Sequence, residues 1–342
     1  MKNMIILIIT FMIVSCDKNP TNSKSEYGFA IYFLKNEDLK IKDVFDKDIE
    51  DLKLASDPWL IDEDIRFYDW SDHCIYLKND KEHLRKYLNY NDGWDEPYLW
   101  NKPYVVTANN KRCYMGYFNV FSSIKWPCPH IDVSIDILGF PKDVIHSQLV
   151  YIFTEDLRNN EDVKQTLLEH NLYRRGIKFS LDTTGFFIDY SKNKDTIYIE
   201  YTFKITNCDQ DTLFVIDPDK MVRPLFFYFY NGLVLKNQEN NEIIRSIDKS
   251  SIPEPYYYSW SPEWFTKLIP GQTMMRTIKQ SYSYFSTGNY IMQATFDNPV
   301  LNFEKEVREI EEGRYWIGKS RTKVFVLSVN EDEKKRNFFI DN

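Results

Sequence analysis

The segment from residue 195 to residue 207, DTIYIEYTFKITN, alternates between apolar and polar side chains along most of its length. Successive side chains of a β-strand point to opposite faces of the sheet, so this period of two predicts a long strand with one buried face. The side chains predicted to face the core are Ile197, Ile199, Tyr201, Phe203 and Ile205. The side chains predicted to face the opposite side are Thr196, Tyr198, Glu200, Thr202, Lys204 and Thr206. This half of the chain is therefore expected to be antiparallel β-structure.

Several other β-prone runs follow, separated by turn signals at Asn231-Gly232, Pro270-Gly271 and Gly288. They are TLFVID at 212–217, LFFYFYNG at 225–232, TMMRTIKQ at 273–280, GNYIMQATF at 288–296 and TKVFVLSV at 322–329. The chain also has 24 Tyr, 24 Phe and only 11 Gly, a composition that favours β-structure. About seven short strands without a convincing helix between them predict a β-sandwich over residues 174–330.

The closing strands of this region resemble those of bacterial immunoglobulin-like domains, which often carry a Pro-Gly turn before one strand and a Gly-x-Tyr sequence at the start of the next. The segments that carry the resemblance are LIPGQT at 268–273, STGNYIMQATF at 286–296, YWIGKS at 315–320 and TKVFVLSV. The resemblance implies an immunoglobulin-like sandwich and an extracytoplasmic location, but no activity, because this fold hosts many functions. The charged insertion FEKEVREIEEG at 303–313 predicts a short helix, and residues 331–342 are expected to form a fraying polar tail.

The region from residue 27 to residue 173 mixes strand and helix patterns, which predicts an α+β domain. Its clearest signal is the segment 103–121, with two β-prone runs around Asn109-Asn110, residues that tolerate the positive φ of a hairpin turn. Asn160, the acidic residues after it and apolar residues at helical spacing predict a capped helix over 160–175 that ends at Gly176. Other predicted elements are strands at 27–34, 73–77 and 143–153, a short helix through Phe45, Ile49 and Leu52, and another from Asn79-Asp80 through Leu84 and Leu88.

The first residues carry the pattern of an export signal. Lys2 supplies a positive charge, and residues 4–14 form an apolar run that is too short to span a bilayer as a helix, which needs about 20 residues. The run ends in Ile13-Val14-Ser15-Cys16, which resembles the lipobox of bacterial lipoproteins. The alternatives are an ordinary cleaved signal peptide and a buried amino-terminal helix.

In lipoproteins the thiol of this cysteine receives a diacylglycerol, the chain is cut just before it, and the new amino terminus is usually acylated. The resemblance therefore implies a signal peptide at 1–15, lipidation of Cys16 with acyl chains such as palmitate, and a protein anchored in the cell envelope on the extracytoplasmic side of the membrane. Residues 16–26 are expected to form a flexible tether because no apolar residue follows Cys16 there. No later apolar run is long enough to span a membrane, so lipid would be the only anchor.

Charge and cysteine content limit the partners. The chain of 342 residues is long enough for about two domains and has a net charge of −8 with no basic stripe, which argues against nucleic-acid binding. Lipidation of Cys16 would leave four cysteines, and Cys113 and Cys128 are the candidate disulfide, closing a loop of about 15 residues. Three connectivities remain open for Cys74, Cys113, Cys128 and Cys208.

The segment DWSDHCIYL at 69–77 is the densest polar cluster, with Cys74 or Ser71 as candidate nucleophile and His73 as candidate base. Neighbouring residues of a strand point to opposite faces, so His73 and Cys74 are not expected to form a dyad. The cluster is interpreted as a turn whose Asp and Ser side chains bind backbone groups, and no catalytic residue is assigned. Cys128 and His130 lack the second ligand pair of a zinc site, so no metal and no cofactor is expected.

The segment EPYYYSWSPEWF at 254–265 is rich in aromatic residues. Exposed rings there would stack on sugars or anchor a protein partner, and Pro253, Pro255 and Pro262 favour a loop or an edge strand. The alternative is that these rings fill the core. The candidate stacking residues are Tyr256, Tyr257, Tyr258, Trp260 and Trp264.

These patterns together predict a lipid-anchored extracytoplasmic protein that acts as a non-enzymatic binding or envelope-assembly module, with an envelope protein or glycan as partner. One alternative is an envelope-directed hydrolase with its site in the amino-terminal domain. Another is a carbohydrate-binding module that uses the aromatic residues of 256–264. A proteinase-inhibitor-like role is a third alternative, suggested by the sandwich pattern alone.

Overall fold

A computed structural model describes residues 27–80, 99, 101–119, 133–136, 141–149, 153–193, 196–221, 226–227, 232–248, 261–283, 285–298, 305–329 and 340–341. The described part of the protein is predominantly β, with 52% of those residues in strands. Within these ranges, no helix has the length and apolar character needed to cross a membrane.

Nine strands of the first half form one sheet that curls into a half-barrel. The strands are β1 (Phe29–Phe33), β2 (Leu60–Ile61), β3 (Ile65–Asp69), β4 (Cys74–Leu77), β5 (Pro103–Ala108), β6 (Lys111–Asn119), β7 (Val133–Asp136), β8 (Val144–Leu149) and β9 (Tyr173–Arg174). Their order across the sheet is β2-β1-β5-β6-β7-β8-β4-β3-β9. Neighbours are antiparallel except for the pairs β6–β7 and β3–β9. The predicted strands at 27–34, 73–77 and 143–153 thus correspond to β1, β4 and β8.

The predicted hairpin is confirmed as β5 and β6. Asn109 and Asn110 turn the chain with φ values of 48° and 64°, a left-handed conformation that Asn adopts more readily than most residues. The amide nitrogen Nδ2 of Asn109 also donates to Oγ1 of Thr166 at 3.1 Å, which ties the turn to a helix.

This helix, α1, covers Glu161–Glu169 and is shorter than expected. The side chain of Asn160 caps it by accepting from the backbone N–H groups of Asp162 and Val163, as the sequence predicts. The prediction that α1 continues to residue 175 and ends at Gly176 is wrong. Asn171 adopts a left-handed φ of 58° instead, and the following residues pair with the sheet as β9.

The short helix expected through residues 45–52 is a 3-10 turn at Ile49–Asp51. Asp48 begins this turn by accepting a hydrogen bond from the backbone N–H of Glu50. Two similar turns occur at Ile41–Asp43 and Asp62–Asp64. The helix predicted from Asn79-Asp80 through Leu84 and Leu88 falls largely outside the described residues.

The second half contains three further sheets and a short helix α2 (Lys305–Arg308), which lies in the predicted charged insertion. The sheet orders are β10-β11-β16, β15-β12-β19-β18 and β14-β13-β17-β21-β22, with β20 paired to β17. The strands are β10 (Ile177–Asn193), β11 (Thr196–Asn207), β12 (Leu213–Ile216), β13 (Gly232–Asn237), β14 (Ile243–Arg245), β15 (Phe265–Leu268), β16 (Thr273–Ser283), β17 (Gly288–Asn298), β18 (Glu309–Ile310), β19 (Gly313–Tyr315), β20 (Gly318–Arg321), β21 (Phe325–Val329) and β22 (Ile340–Asp341). The expectation that the tail frays is wrong for Ile340 and Asp341, which pair with β21.

The alternating segment at 195–207 is confirmed as β11, which lies between β10 and β16. Its five predicted core residues are each at most 1% exposed, and the polar residues between them are half-buried. The same core includes Phe67 and Tyr76 from the amino-terminal sheet. Apolar packing therefore continues across the predicted domain boundary at residues 173 and 174.

Candidate functional site

The polar cluster at 69–74 forms the turn between β3 and β4, as the sequence predicts. The backbone N–H of Ser71 donates to Oδ1 of Asp69 at 3.1 Å, and the backbone N–H of Cys74 donates to Oδ1 of Asp72 at 3.0 Å. His73 adopts a left-handed φ of 59°, an uncommon conformation for a residue with a side chain of this size. The Asp side chains therefore satisfy backbone donors of the turn.

The hydroxyl of Ser71, the candidate nucleophile, is already engaged. It donates to Oδ1 of Asp69 at 2.6 Å and accepts from Nε1 of Trp316 at 3.1 Å. Neither partner is an imidazole, the most frequent base for a serine nucleophile, and the carboxylate of Asp69 is already paired with Arg314. Ser71 therefore joins the turn to the carboxy-terminal half.

Arg314 of β19 makes the central ion pairs of this junction. Its Nη2 lies 2.7 Å from Oδ2 of Asp69 and 2.7 Å from Oδ2 of Asp209. The side chains of all three residues are at most 5% exposed. A buried charge is tolerated when it is paired and hydrogen-bonded, so these contacts fix the turn against the second half of the chain.

The ring of His73 faces a cavity and carries no charge at neutral pH. Burial and the nearby Arg158 guanidinium lower the pKa of His73 to about 3. Its Nδ1 lies 3.0 Å from the hydroxyl oxygen of Tyr68, whereas its Nε2 lies 3.8 Å from Oδ2 of Asp156, too far for a hydrogen bond. A group with so low a pKa is a weak general base at neutral pH.

Cys74 lies on the other side of the turn, inside the hydrophobic core. Burial, and then the neighbouring Asp72, raise the pKa of the Cys74 thiol well above its ordinary value. The thiolate is the reactive form of cysteine, so this thiol is inert. His73 lies in the cavity wall and Cys74 in the core, and His73 belongs to the turn rather than to β4, so strand alternation is not what separates the two side chains.

The cavity beside His73 has a volume of about 380 Å³. It lies between the β3–β4 turn, the segment at 153–159, and strands β17 and β20 with the residues that follow β20. Its lining residues include Trp70, His73, Asp156, Arg158, Asn159, Gln293, Lys319, Arg321 and Lys323. Both halves of the chain contribute, so the cavity depends on how the two halves pack against each other.

Hydrogen bonds hold two walls of the cavity in place. Arg158 donates to both carboxylate oxygens of Asp156, from Nε at 2.7 Å and from Nη2 at 2.6 Å, and also to the carbonyl of Ser147. Burial raises the pKa of Asp156, but the hydrogen bonds from Arg158 outweigh it and lower that pKa to about 2. Gln293 donates from Nε2 to the carbonyl of Thr322 at 2.8 Å.

Most other predicted site residues lie outside the described ranges. This holds for Cys16, Cys128, His130 and the aromatic residues Tyr256, Tyr257, Tyr258 and Trp260. Lipidation and the disulfide between Cys113 and Cys128 therefore stay predictions. Trp264 is described at the end of the 3-10 helix Pro262–Trp264, where it packs partly buried against the core.

The cationic lining of the cavity was not predicted from the sequence. A signal for it exists in KSRTK at 319–323, where Lys319, Arg321 and Lys323 alternate with Ser320 and Thr322. In an extended segment this spacing places three positive charges on one face. Arg158 has no comparable signal in the sequence, because its position in the cavity wall depends on how the segment at 153–159 folds.

In the part of the chain that the structure describes, no group of three or more His, Cys, Asp or Glu side chains is placed to hold a metal ion. Function is therefore inferred from the turn, the junction and the cavity. No known protein family and no curated protein matches this chain.

Proposed function

We propose that this chain is a lipid-anchored protein of the bacterial cell envelope that acts on the extracytoplasmic side of the membrane by binding a partner. The export pattern, the lipobox-like ending at Cys16 and the polar tether after it support the location. The proposed partner is an envelope protein or glycan.

The state of the β3–β4 turn is the observation that carries the choice of binding over catalysis. His73 is a weak base, Cys74 is a buried thiol with a raised pKa, and Ser71 is bonded to Asp69 and Trp316. The same turn forms one wall of a cavity of about 380 Å³, a size typical of small-molecule sites, which are roughly 300–1,000 Å³. The side chains of the turn are therefore better suited to line a binding cavity than to act as a nucleophile and its base.

We also propose that residues 174–330 form an immunoglobulin-like sandwich. Strand β11 of one sheet and strand β17 of another bring Phe203 and Phe296 together in one core, with ring centroids 6.3 Å apart. Gly271, with a φ of 82°, makes the turn between β15 and β16, and Gly288 begins β17 as the resemblance implies. Sandwiches of this kind serve in many proteins as binding domains, so the fold is compatible with the proposed role.

The anchor is tested by replacing Cys16 with Ser and measuring how the protein divides between membrane and soluble fractions. We expect the wild-type protein in the membrane fraction and Cys16→Ser in the soluble fraction. The matched control is Cys208→Ser, which removes a thiol in the folded part of the chain and should leave the protein in the membrane fraction. Retention of Cys16→Ser on membranes after a high-salt wash would contradict the proposal.

Binding is separated from catalysis by incubating the purified full-length protein in detergent with purified envelope glycans. We expect the protein to be retained on the glycans or to cross-link to a discrete envelope protein in cells, without release of soluble glycan fragments. Release of fragments that the variant Ser71→Ala abolishes would instead favour the envelope-directed hydrolase.

A further inference from the structure

The cavity beside His73 combines a surplus of positive charge with a protein that is acidic overall. Among its described lining residues, Arg158, Lys319, Arg321 and Lys323 are cations, and Asp156 is a carboxylate. The whole chain has 43 Lys and Arg against 51 Asp and Glu. Positive charge is therefore concentrated at this position against the trend of the molecule, which points to an anionic ligand.

One of these cations is already neutralised within the cavity wall. Arg158 is bidentate to Asp156, so this pair contributes little net charge. The other three cations come from one short segment, 319–323, and share a face of it. Lys319 pairs with Asp297 at 2.9 Å, and Arg321 donates from Nη2 to the carbonyl of Leu149 at 2.7 Å. The carboxylate of Asp297 offsets the charge of Lys319, so the surplus positive charge of the lining comes from Arg321 and Lys323.

The lowered pKa of Arg321 also favours an anionic ligand. Burial and the nearby Arg158 lower the pKa of Arg321 to about 10, in spite of the carboxylates of Asp156 and Asp297. A guanidinium in this state is stabilised by any further negative charge brought within hydrogen-bond distance. An anion in the cavity would supply that charge.

The remaining lining suits an organic molecule rather than a bare ion. Trp70 gives one apolar wall, and Asn159 and Gln293 give amide groups. The imidazole of His73 is uncharged and already hydrogen-bonded to Tyr68 and Asn159, so it forms part of the fixed wall of the cavity. Small-molecule sites usually combine an apolar wall with a few placed polar groups in this way.

We propose that this cavity binds a monosaccharide-sized organic anion whose phosphate or carboxylate group is held by Arg321 and Lys323, with the Lys319–Asp297 pair beside them. Trp70 lies against the apolar part of the ligand, and the amides of Asn159 and Gln293, each already bonded within the cavity wall, border its hydroxyl groups. This inference goes beyond the proposed function because it names a site and a ligand class. Binding of such an anion does not depend on whether Cys16 carries lipid. A failure of the fractionation experiment is therefore distinguishable from a failure of the calorimetric titration.

The test is calorimetric titration of the full-length protein in detergent with three probes: glucose 6-phosphate, galacturonate and glucose. We expect saturable binding of at least one anionic probe, weaker binding at higher salt, and glucose at least about tenfold weaker, because only the anions engage the cations. Preference for glucose 6-phosphate or for galacturonate identifies the anionic group. Thermal melting of each variant shows that it is folded.

Two variants and a control locate the site. Lys323 is exposed, so Lys323→Gln should fold normally and weaken binding of the anionic probe about threefold, as expected for a partly screened charge. The double variant Lys319→Gln, Lys323→Gln should weaken it about tenfold. The control Lys267→Gln removes an exposed positive charge outside the lining and should bind like the wild type.

Three results would overturn the proposal. The first is absence of saturable binding for both anionic probes at low salt. The second is binding of glucose as tight as that of the anions. The third is an equal effect of Lys267→Gln and Lys323→Gln, which would assign the binding to overall charge rather than to the cavity.

Discussion

Arg314 reaches from β19 to two buried carboxylates, those of Asp69 and Asp209, at 2.7 Å each. Replacing it with Met would leave both carboxylates buried beside an uncharged side chain. We expect Arg314→Met to lower the free energy of unfolding by about 3–5 kcal/mol, the usual cost of removing one partner of a buried pair. Urea denaturation at pH 7 measures this change.

The control for this experiment is an exposed ion pair in the same half of the chain. Lys267 lies 2.6 Å from Glu312, and the two side chains are 46% and 64% exposed. Lys267→Met should change the free energy of unfolding far less than Arg314→Met, because water and salt screen such exposed pairs. A loss no larger for Arg314→Met than for Lys267→Met would contradict the structural role given to Arg314.

His73 makes the free energy of unfolding depend on pH. Its pKa is about 3 in the folded protein, whereas a solvated histidine titrates near 6.5, so the unfolded chain binds a proton in this interval that the folded protein does not. The contribution of His73 to stability is therefore fully present above about pH 6.5 and is lost as the pH falls toward 3. The slope for one proton reaches at most about 1.4 kcal/mol per pH unit.

We expect His73→Asn to lose less stability than the wild type between pH 6.5 and pH 4, because Asn does not titrate there. Asn also accepts the left-handed φ of this position, which keeps the turn intact. Urea midpoints measured at several pH values give the two slopes. Parallel curves for variant and wild type would show that His73 does not titrate as the structure requires.

Helix α1 is the element whose start the sequence predicts best. Its first free N–H groups are bound by the side chain of Asn160, and the buried residues Val163 and Leu167 hold the helix on the sheet. Asn160→Ala should lower the free energy of unfolding by about 1 kcal/mol, because the capping hydrogen bonds are lost.

The matched variant is Asn160→Ser, which restores a capping oxygen and should recover most of this stability. Melting temperatures followed by circular dichroism compare the three proteins. Equal destabilisation by Ala and by Ser would mean that the cap contributes nothing and that position 160 matters for another reason.

Local sequence patterns predict an element well where residues that are neighbours in the sequence determine its structure. The alternation of β11 and the Asn109-Asn110 turn are examples, because each depends on residues next to one another. The end of α1 was predicted wrongly because tertiary pairing decides it: Tyr173 and Arg174 join β3 as a parallel strand, and the chain must leave the helix before them. Gly176 therefore lies beyond the helix rather than at its end.

The arrangement of the whole molecule depends on contacts that no local pattern contains. Arg314 and Asp69 are 245 positions apart, and Arg308 pairs with Asp143 across 165 positions. The sequence thus showed Asp69 and His73 as a polar cluster but gave no sign of Arg314 or Arg158, which determine its chemistry. For the same reason the cavity, whose walls come from both halves, was not predicted.

These long-range contacts make the turn at 69–74 one wall of the cavity, in a protein that we propose to lie outside the cytoplasm. The proposed location depends on Cys16, which the polar tether would connect to the folded sheets. The proposed membrane anchor is thus the feature on which the proposed biological role depends most, since two or more acyl chains would give stable attachment.

The most direct measurement is the intact mass and amino-terminal peptide of the mature protein purified from bacterial membranes. The lipoprotein proposal predicts a chain that begins at Cys16 and carries the added mass of a diacylglycerol and an amino-terminal acyl chain, and a Cys16→Ser chain without that mass. A wild-type chain that begins elsewhere, or begins at Cys16 without lipid, would contradict it.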